Sequence, residues 1–353
     1  DWYEANLHDQ TLRVTGELGA QRDLLVLNPG YPDPTGEVTA TVLGSGRVQA
    51  DPDLDMPYVH QASIGLERAV TQALTLQTSY MRIRGYNQLR SRDVNAPDEF
   101  GVRPEPGIGT VTQIESTGRS ASDRINVNAV YRLAERRTFI NVNYTWSSVR
   151  NHADNALSLP ADSRNPDAEW GPAGQDVRHR FNANVNIGLP LGVRANVGGT
   201  AQSSAPYNIT TGHDDNRDGV SNDRPAGVSR NSARGAARYD TNVRFSRGFG
   251  FGGVRESQRG PGGGGPVVIA GGPGGGGPGG GGPGGGGQGG GFGGPGAGDA
   301  NERFRLEFYV QGFNILNRTN FVNFSGNLQS PFFGTPTSAA QARRVEVGMQ
   351  FRF

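Results

Sequence analysis

The unequal length of the segments joining the amphipathic stretches of this chain constrains its fold more than any other feature. From about residue 57 to the end, stretches with an apolar residue at every second position recur. Short turns at 67–71, 133–137 and 188–192 alternate with long polar loops at 82–122, 148–177, 203–238 and 316–342. Period two describes a strand with one apolar face and one polar face. A soluble sandwich has no reason to keep short and long connections in alternation. A membrane-spanning barrel does, with short turns on one side and long loops on the other. The expected fold class is therefore all-β, an antiparallel transmembrane β-barrel.

The strongest internal hairpin sets Ile125, Val127, Ala129 and Tyr131 against Ile140, Val142, Tyr144 and Trp146, with asparagines filling much of the opposite face. Tyr144 and Trp146 end their strand where an aromatic girdle would lie. The last stretch is the cleanest single strand. Val345, Val347, Met349, Phe351 and Phe353 share one face, while Glu346, Gly348, Gln350 and Arg352 fill the other. Nine residues fit the 9–11 or so that a tilted strand needs to cross a bilayer. This ending is similar to the C-terminal insertion signal of bacterial outer-membrane barrels, which the barrel-assembly machinery reads.

Further strands are expected at 57–66, 74–80, 181–187, 193–197, 239–245 and 304–310, with weaker ones at 11–27 and 38–43. The count is about eleven. An odd count, with the chain end on the short-turn side, predicts that an N-terminal half precedes Asp1, since single-chain bacterial barrels normally have an even number. The expected organisation is barrel strands with long extracellular loops over 1–251, a Gly/Pro-rich insertion over 252–302, and the last two strands with the insertion signal over 303–353. The insertion repeats Pro-Gly-Gly-Gly-Gly from Pro273, Pro278 and Pro283. Ordering that much glycine cannot be offset by burial, so disorder is expected there.

Composition removes several function classes. A net charge of +1 gives no reason to expect nucleic acid as a partner. There is no cysteine and no lysine, so thiolate, disulfide, P-loop and Schiff-base chemistry are absent. Gly44-Ser45-Gly46 lacks the spacing of a nucleophile elbow, and no Ser/His/Asp constellation points to an enzyme. His8, His60, His152, His179 and His213 show no metal-ligand pairing and read as solvent or girdle residues. No apolar run approaches the 18 or so residues of a helical span.

Four segments together resemble the C-terminal half of the TonB-dependent receptors, in particular the Oar-like type with a carboxypeptidase-regulatory-like domain. They are Pro57 to Arg68, Asp176 to Phe181, Asn222 to Asn231 and Phe308 to Phe321, followed by the aromatic ending at Phe353. The resemblance implies a 22-stranded barrel, a plug, import of an extracellular ligand, and a TonB partner engaged through sequence upstream. The alternative is a non-transporting surface or adhesion protein.

One loop carries a possible metal motif. Asp214, Asn216 and Asp218 have the one-three-five spacing of a calcium loop, Gly219 supplies the turn at position six, and Asn222 stands at position nine. Position twelve is Pro225, so Asp223 would have to replace the usual glutamate. The other reading is an Asx-rich turn held by side-chain to backbone bonds. Arginines in the long loops could meet lipopolysaccharide phosphates beside the outer-membrane lipid, or form a solvated surface balanced by the 33 acids.

Overall fold

A computed structural model describes residues 23–25, 41–43, 46–133, 137–254 and 302–353. Nine long strands form one antiparallel meander. These are β1 (Tyr58–Ala69), β2 (Leu74–Asp93), β3 (Val111–Leu133), β4 (Thr138–Asn151), β5 (His179–Gly188), β6 (Val193–Gln202), β7 (Arg238–Val254), β8 (Glu302–Phe313) and β9 (Arg344–Arg352). Each pairs with its neighbours in sequence, and among the described residues β1 and β9 are the two edges.

Period two separates the two faces of this sheet. Leu66, Thr78, Val127, Tyr144, Phe181, Ala201 and Tyr239 form one cross-strand row on one face. Gln77, Asn128, Asn143, Asn182, Thr200 and Asp240 form the adjacent row on the other. The first face carries exposed aliphatic and aromatic side chains, among them Ile64, Leu76, Phe245, Phe308 and Val347. The second is an amide wall, in which Asn126 bonds Asn143 and Thr145 while Asn196 bonds Asn184 and Asn186. The described residues bury few apolar side chains, with Val111 and Ala173 the most enclosed. The apolar surface lies on the outside, as lipid requires and water does not.

The register also fixes a tilt. One row runs Leu74, Tyr131, Ile140, Val185, Val197, Val243, Gly312, Val345. Leu74 adjoins the short turn at 70–73, whereas Val345 adjoins the long loop at 314–343. Along β9 the apolar face continues from Val345 to Phe351 or Phe353, six to eight residues, before it reaches the short-turn end. That displacement is about 20–27 Å over seven strand spacings of about 4.8 Å, a slope of roughly 30–40°. Transmembrane barrels have strands tilted by about 35–45°.

The structure corrects three expectations. The sheet holds eleven strands, but the nine of the meander are completed by Arg47–Ala50, parallel to the start of β3, and Gly171–Pro172, beside the end of β4. The expected first two strands contribute Asp23–Leu25 and Thr41–Leu43, which pair with each other in a separate sheet. The rest of those two stretches lies outside the described residues. Leu24-Leu25-Val26-Leu27 is a continuous apolar run, without the single lipid face that would recruit it to the meander. Finally, the polar segment 82–122 is mostly strand, because β2 and β3 continue to Asp93 and back from Val111. Beyond the lipid band nothing demands an apolar side chain, so the ladder continues without its sequence signature.

The Gly/Pro-rich insertion falls outside the described residues over 255–301. Its flanks are described: β7 runs from the long-loop end to the short-turn end, and β8 returns. Both therefore place the insertion's ends at the short-turn side. Protease added to intact cells is expected to cut at loop arginines and to spare Arg255 and Arg259 until the outer membrane is permeabilised. Cleavage at those two positions on intact cells would reverse the expected orientation.

Candidate functional site

The four long connections gather at one end of the sheet; carboxylates tie three of them together, and the fourth, 314–343, joins through backbone bonds of Thr210 with Gly326 and Leu328. Asp93, at the end of β2, accepts the backbone N–H of Asn95 and of Val111 through Oδ1 and pairs with Arg103 at 3.2 Å. Its own N–H donates to Ser163, which joins loop 94–110 to loop 152–178. Arg90 donates Nε to Thr117 at 2.7 Å, one NH group to the Pro166 carbonyl at 2.9 Å and the other to Asp167 at 3.0 Å. Glu169 ends a short 3₁₀ turn (Pro166–Glu169) and receives both NH groups of Arg224, at 2.7 and 3.1 Å. That fork joins loop 152–178 to loop 203–237, with the bidentate geometry in which guanidinium–carboxylate pairs are strongest.

Two more carboxylates complete the bundle. Asp154 meets Arg230 and accepts from Asn151 and from the Gly174 N–H. Burial would raise its pKa, but Arg230 and these donors outweigh burial and hold the carboxyl below its ordinary range. Asp176 is fully enclosed between Arg178 and Arg234 and accepts the Val149 N–H at 2.8 Å. A cavity of about 150 Å³ remains among Arg90, His152, Glu169, Asn222, Arg224 and Arg230.

His152 is the histidine enclosed within this bundle. Its Nδ1 accepts the Arg119 N–H at 3.0 Å, and its ring lies 5.0 Å from that of Trp170. Burial pushes its pKa down, the Arg90 charge adds to the effect, and Asp167 opposes it. The folded loop thus favours neutral imidazole. As pH falls from about 6.5, the ordinary histidine value, toward the lowered folded value, the released chain takes up a proton that the docked loop refuses. Stability from this group is present above 6.5 or so and declines below it. The expected result is faster hydrogen exchange at the Arg119 amide at pH 5 than at pH 7.5, after correction for intrinsic rates. A His152→Gln variant should not show that acceleration.

The five residues of the candidate calcium motif lie in one turn, and their bonds are those of the Asx reading. Asp214 accepts the N–H groups of Asp218 and Gly219, Asn216 Oδ1 accepts that of Asp218, and Asp218 Oδ1 accepts that of Val220. Asp223 Oδ2 receives the N–H groups of Asp215 and Asn216. Asn216 and Asn222 donate their amides to the carbonyls of Leu159, Pro160 and Ala161, so the turn is clamped to the neighbouring loop. Burial raises the pKa of Asp218, and the charges of Asp214 and Asp223 add to the rise. Among the described histidines, His60 lies 5.4 Å from each of the stacked Tyr58 and Tyr86 rings, and His179 bonds the Tyr144 hydroxyl at 2.8 Å, as girdle residues would. Val345, Val347, Met349, Phe351 and Phe353 lie exposed along the outward face of β9.

The family description "Outer membrane beta barrel domain" matches residues 8–263. The chain belongs to the outer-membrane β-barrel domain family. This barrel protein is located in the bacterial outer membrane. No curated protein matches its sequence. The outer membrane transporter YddB of Escherichia coli is similar in structure at a TM-score of 0.53 and 9% identity, over 88% of this barrel chain and 34% of that one. The FrpB iron transporter from Neisseria meningitidis gives 0.46 and 10% over 86% and 32%, and the ferric-catecholate import receptor Fiu of E. coli K12 gives 0.44 and 9% over 85% and 28%. At 9% identity the likeness to YddB shows the fold alone. The barrel chain spans about a third of the length of those proteins.

The cross-loop bonds were missed by sequence reasoning. Asp176 and Arg178, two residues apart, form a local ion pair. Arg234, Arg224 and Arg230 stood in the loop without any signal that named their partners, since the carboxylate that each meets is 55 or more residues away.

Proposed function

We propose that the chain is barrel wall and surface loops of a TonB-dependent receptor that imports an extracellular ligand. The observation that carries this reading is the pairing of an amide-rich face with a cross-braced bundle of long loops at one end of the sheet, which on this reading are the barrel's inner wall and its medium side, with the short turns toward the periplasm. A wall of asparagines facing inward suits a passage filled by water, solute or another polar part of the protein. Loops fixed by buried ion pairs suit a preorganised ligand surface. On this reading the complete barrel has 22 strands, with a plug and TonB contact supplied by sequence upstream, as in the Oar-like type. The outward row Val345 to Phe353 is then the apolar strand that the barrel-assembly machinery engages.

The test is a binding experiment with the full-length natural protein in detergent and the purified periplasmic domain of TonB. A specific complex supports energised import. Absence of any complex, with a known receptor from the same membrane as positive control, would favour the non-transporting surface protein.

A further inference from the structure

Immediately beyond the apolar band, the outward face of β1 to β4 becomes basic. The top of the band is the row Ile64, Tyr80, Ile125, Trp146. The next outward positions toward the medium are Arg82 and Asp123, which are cross-strand partners, and then Arg84, Ala121 and Arg150 in one row. Arg119 follows on β3, its N–H bonded to His152. Four arginines thus surround Ala121, and among the described residues the only carboxylate on this stretch of face is Asp123. Its charge is taken by Arg84 at 2.8 Å, and the Tyr80 hydroxyl donates to it at 2.7 Å. Arg119 and Arg150 are exposed and make no ion pair among the described residues, while Arg82, also exposed, bonds the Tyr80 hydroxyl and adds its charge to that of Arg84 beside Asp123. Four positive charges less one negative leave a local excess of three.

We propose that this patch is a binding site for the phosphate groups of lipopolysaccharide. Two independent features meet there. The apolar row below is covered by acyl chains, so whatever lies against the arginines is continuous with lipid and sits at head-group height. Charge complementarity then asks for an anion with several acceptor oxygens, which the phosphorylated sugars of that outer-leaflet lipid supply. Arginine suits this role because its planar fork meets phosphate in two parallel hydrogen bonds. Arg84 and Arg150 flank Ala121 across two strand spacings, about 10 Å, which leaves a shallow floor for a sugar phosphate between them. The inference rests on the outer-membrane location and orientation, and it is independent of ligand import.

The natural full-length protein, extracted in mild detergent, would be compared with the triple variant Arg82→Gln/Arg119→Gln/Arg150→Gln for retained lipopolysaccharide. The expected loss is about tenfold, from removing charge-assisted contacts at three guanidiniums. An Arg164→Gln variant should retain the lipid as the wild type does. Heat-modifiable gel mobility reports whether each variant has folded. In a second arm, delipidated wild-type protein is offered bisphosphorylated or dephosphorylated lipid A, with millimolar inorganic phosphate as competitor. Preference for the phosphorylated lipid that free phosphate does not abolish is the expected result. Equal binding of the two lipids, full displacement by phosphate, or unchanged retention in a folded triple variant would overturn the proposal. A triple variant that fails to fold leaves the decision to the second arm.

Discussion

Met349→Arg should sharply lower the amount of folded protein in the outer membrane, while Gln350→Arg, one residue along, should leave it nearly unchanged. Met349 is the middle outward residue of β9 and is opposite Phe308. With the tilt deduced from the register, that position falls close to the centre of the apolar band. An arginine facing lipid at the midplane costs about 2–4 kcal/mol, and β9 is an edge strand that must also be placed against its next partner. Gln350 faces the other way and is opposite Glu307, so a new guanidinium there meets water and a carboxylate. The measurement is heat-modifiable protein in outer-membrane fractions at matched expression. Equal loss in both variants would show that the two faces of β9 are not lipid and interior. A smaller version of the contrast is already present: Arg247 faces outward beside the Phe249 ring, 4.7 Å away, but on the same tilt it lies low in the band, within snorkelling reach of the periplasmic head groups.

The meander was legible in the sequence because lipid enforces a rule at every second residue. Ile125 to Tyr131 and Ile140 to Trp146 could hardly be read otherwise, and the turns between such pairs then set the order of the sheet. Where lipid ends, so does the rule. β2 and β3 extend upward through Arg82–Asp93 and Val111–Ser122 with no apolar alternation, and sequence reading took that region for loop. The ladder continues there because paired backbone groups are favourable wherever two strands already lie side by side. The loop bundle was illegible for another reason. A bond such as Glu169 to Arg224 depends on how far apart two loops emerge from the sheet, which no local pattern records. The turn at Asp214 to Asp223 lies between these cases. Its spacing was visible, but the amides of Asn216 and Asn222 are committed to Leu159, Pro160 and Ala161, and that contact needed the fold.

Asp176→Ala should release the loop at 203–237 from the barrel rim without unfolding the sheet. The Asp176 side chain is enclosed and joins three elements: Val149 on β4 through its N–H, Arg178 just before β5, and Arg234 from the far end of the loop. Removing the carboxylate leaves the Val149 N–H and two guanidiniums without their acceptor. Breaking a buried pair costs about 3–5 kcal/mol. Arg178 and Arg234 are 38% and 30% exposed and can recover some hydration, which places the expected cost at about 3 kcal/mol, the low end of that range. Part of the anchor survives, because Arg234 also donates to the Asp176 and Ser204 backbone carbonyls, so the loop should loosen locally. Limited proteolysis of the purified protein should therefore cut at Arg217, Arg224 or Arg230 far faster in the variant, at unchanged heat-modifiable mobility. Asp162→Ala is the control. Among the described residues its only ion pair is with Arg164, both partners are about two-fifths exposed, and surface pairs of that kind contribute at most about 1 kcal/mol. If both variants are cut at the wild-type rate, the loop is held by the Glu169–Arg224 fork rather than by Asp176, and Glu169→Gln becomes the change that frees it.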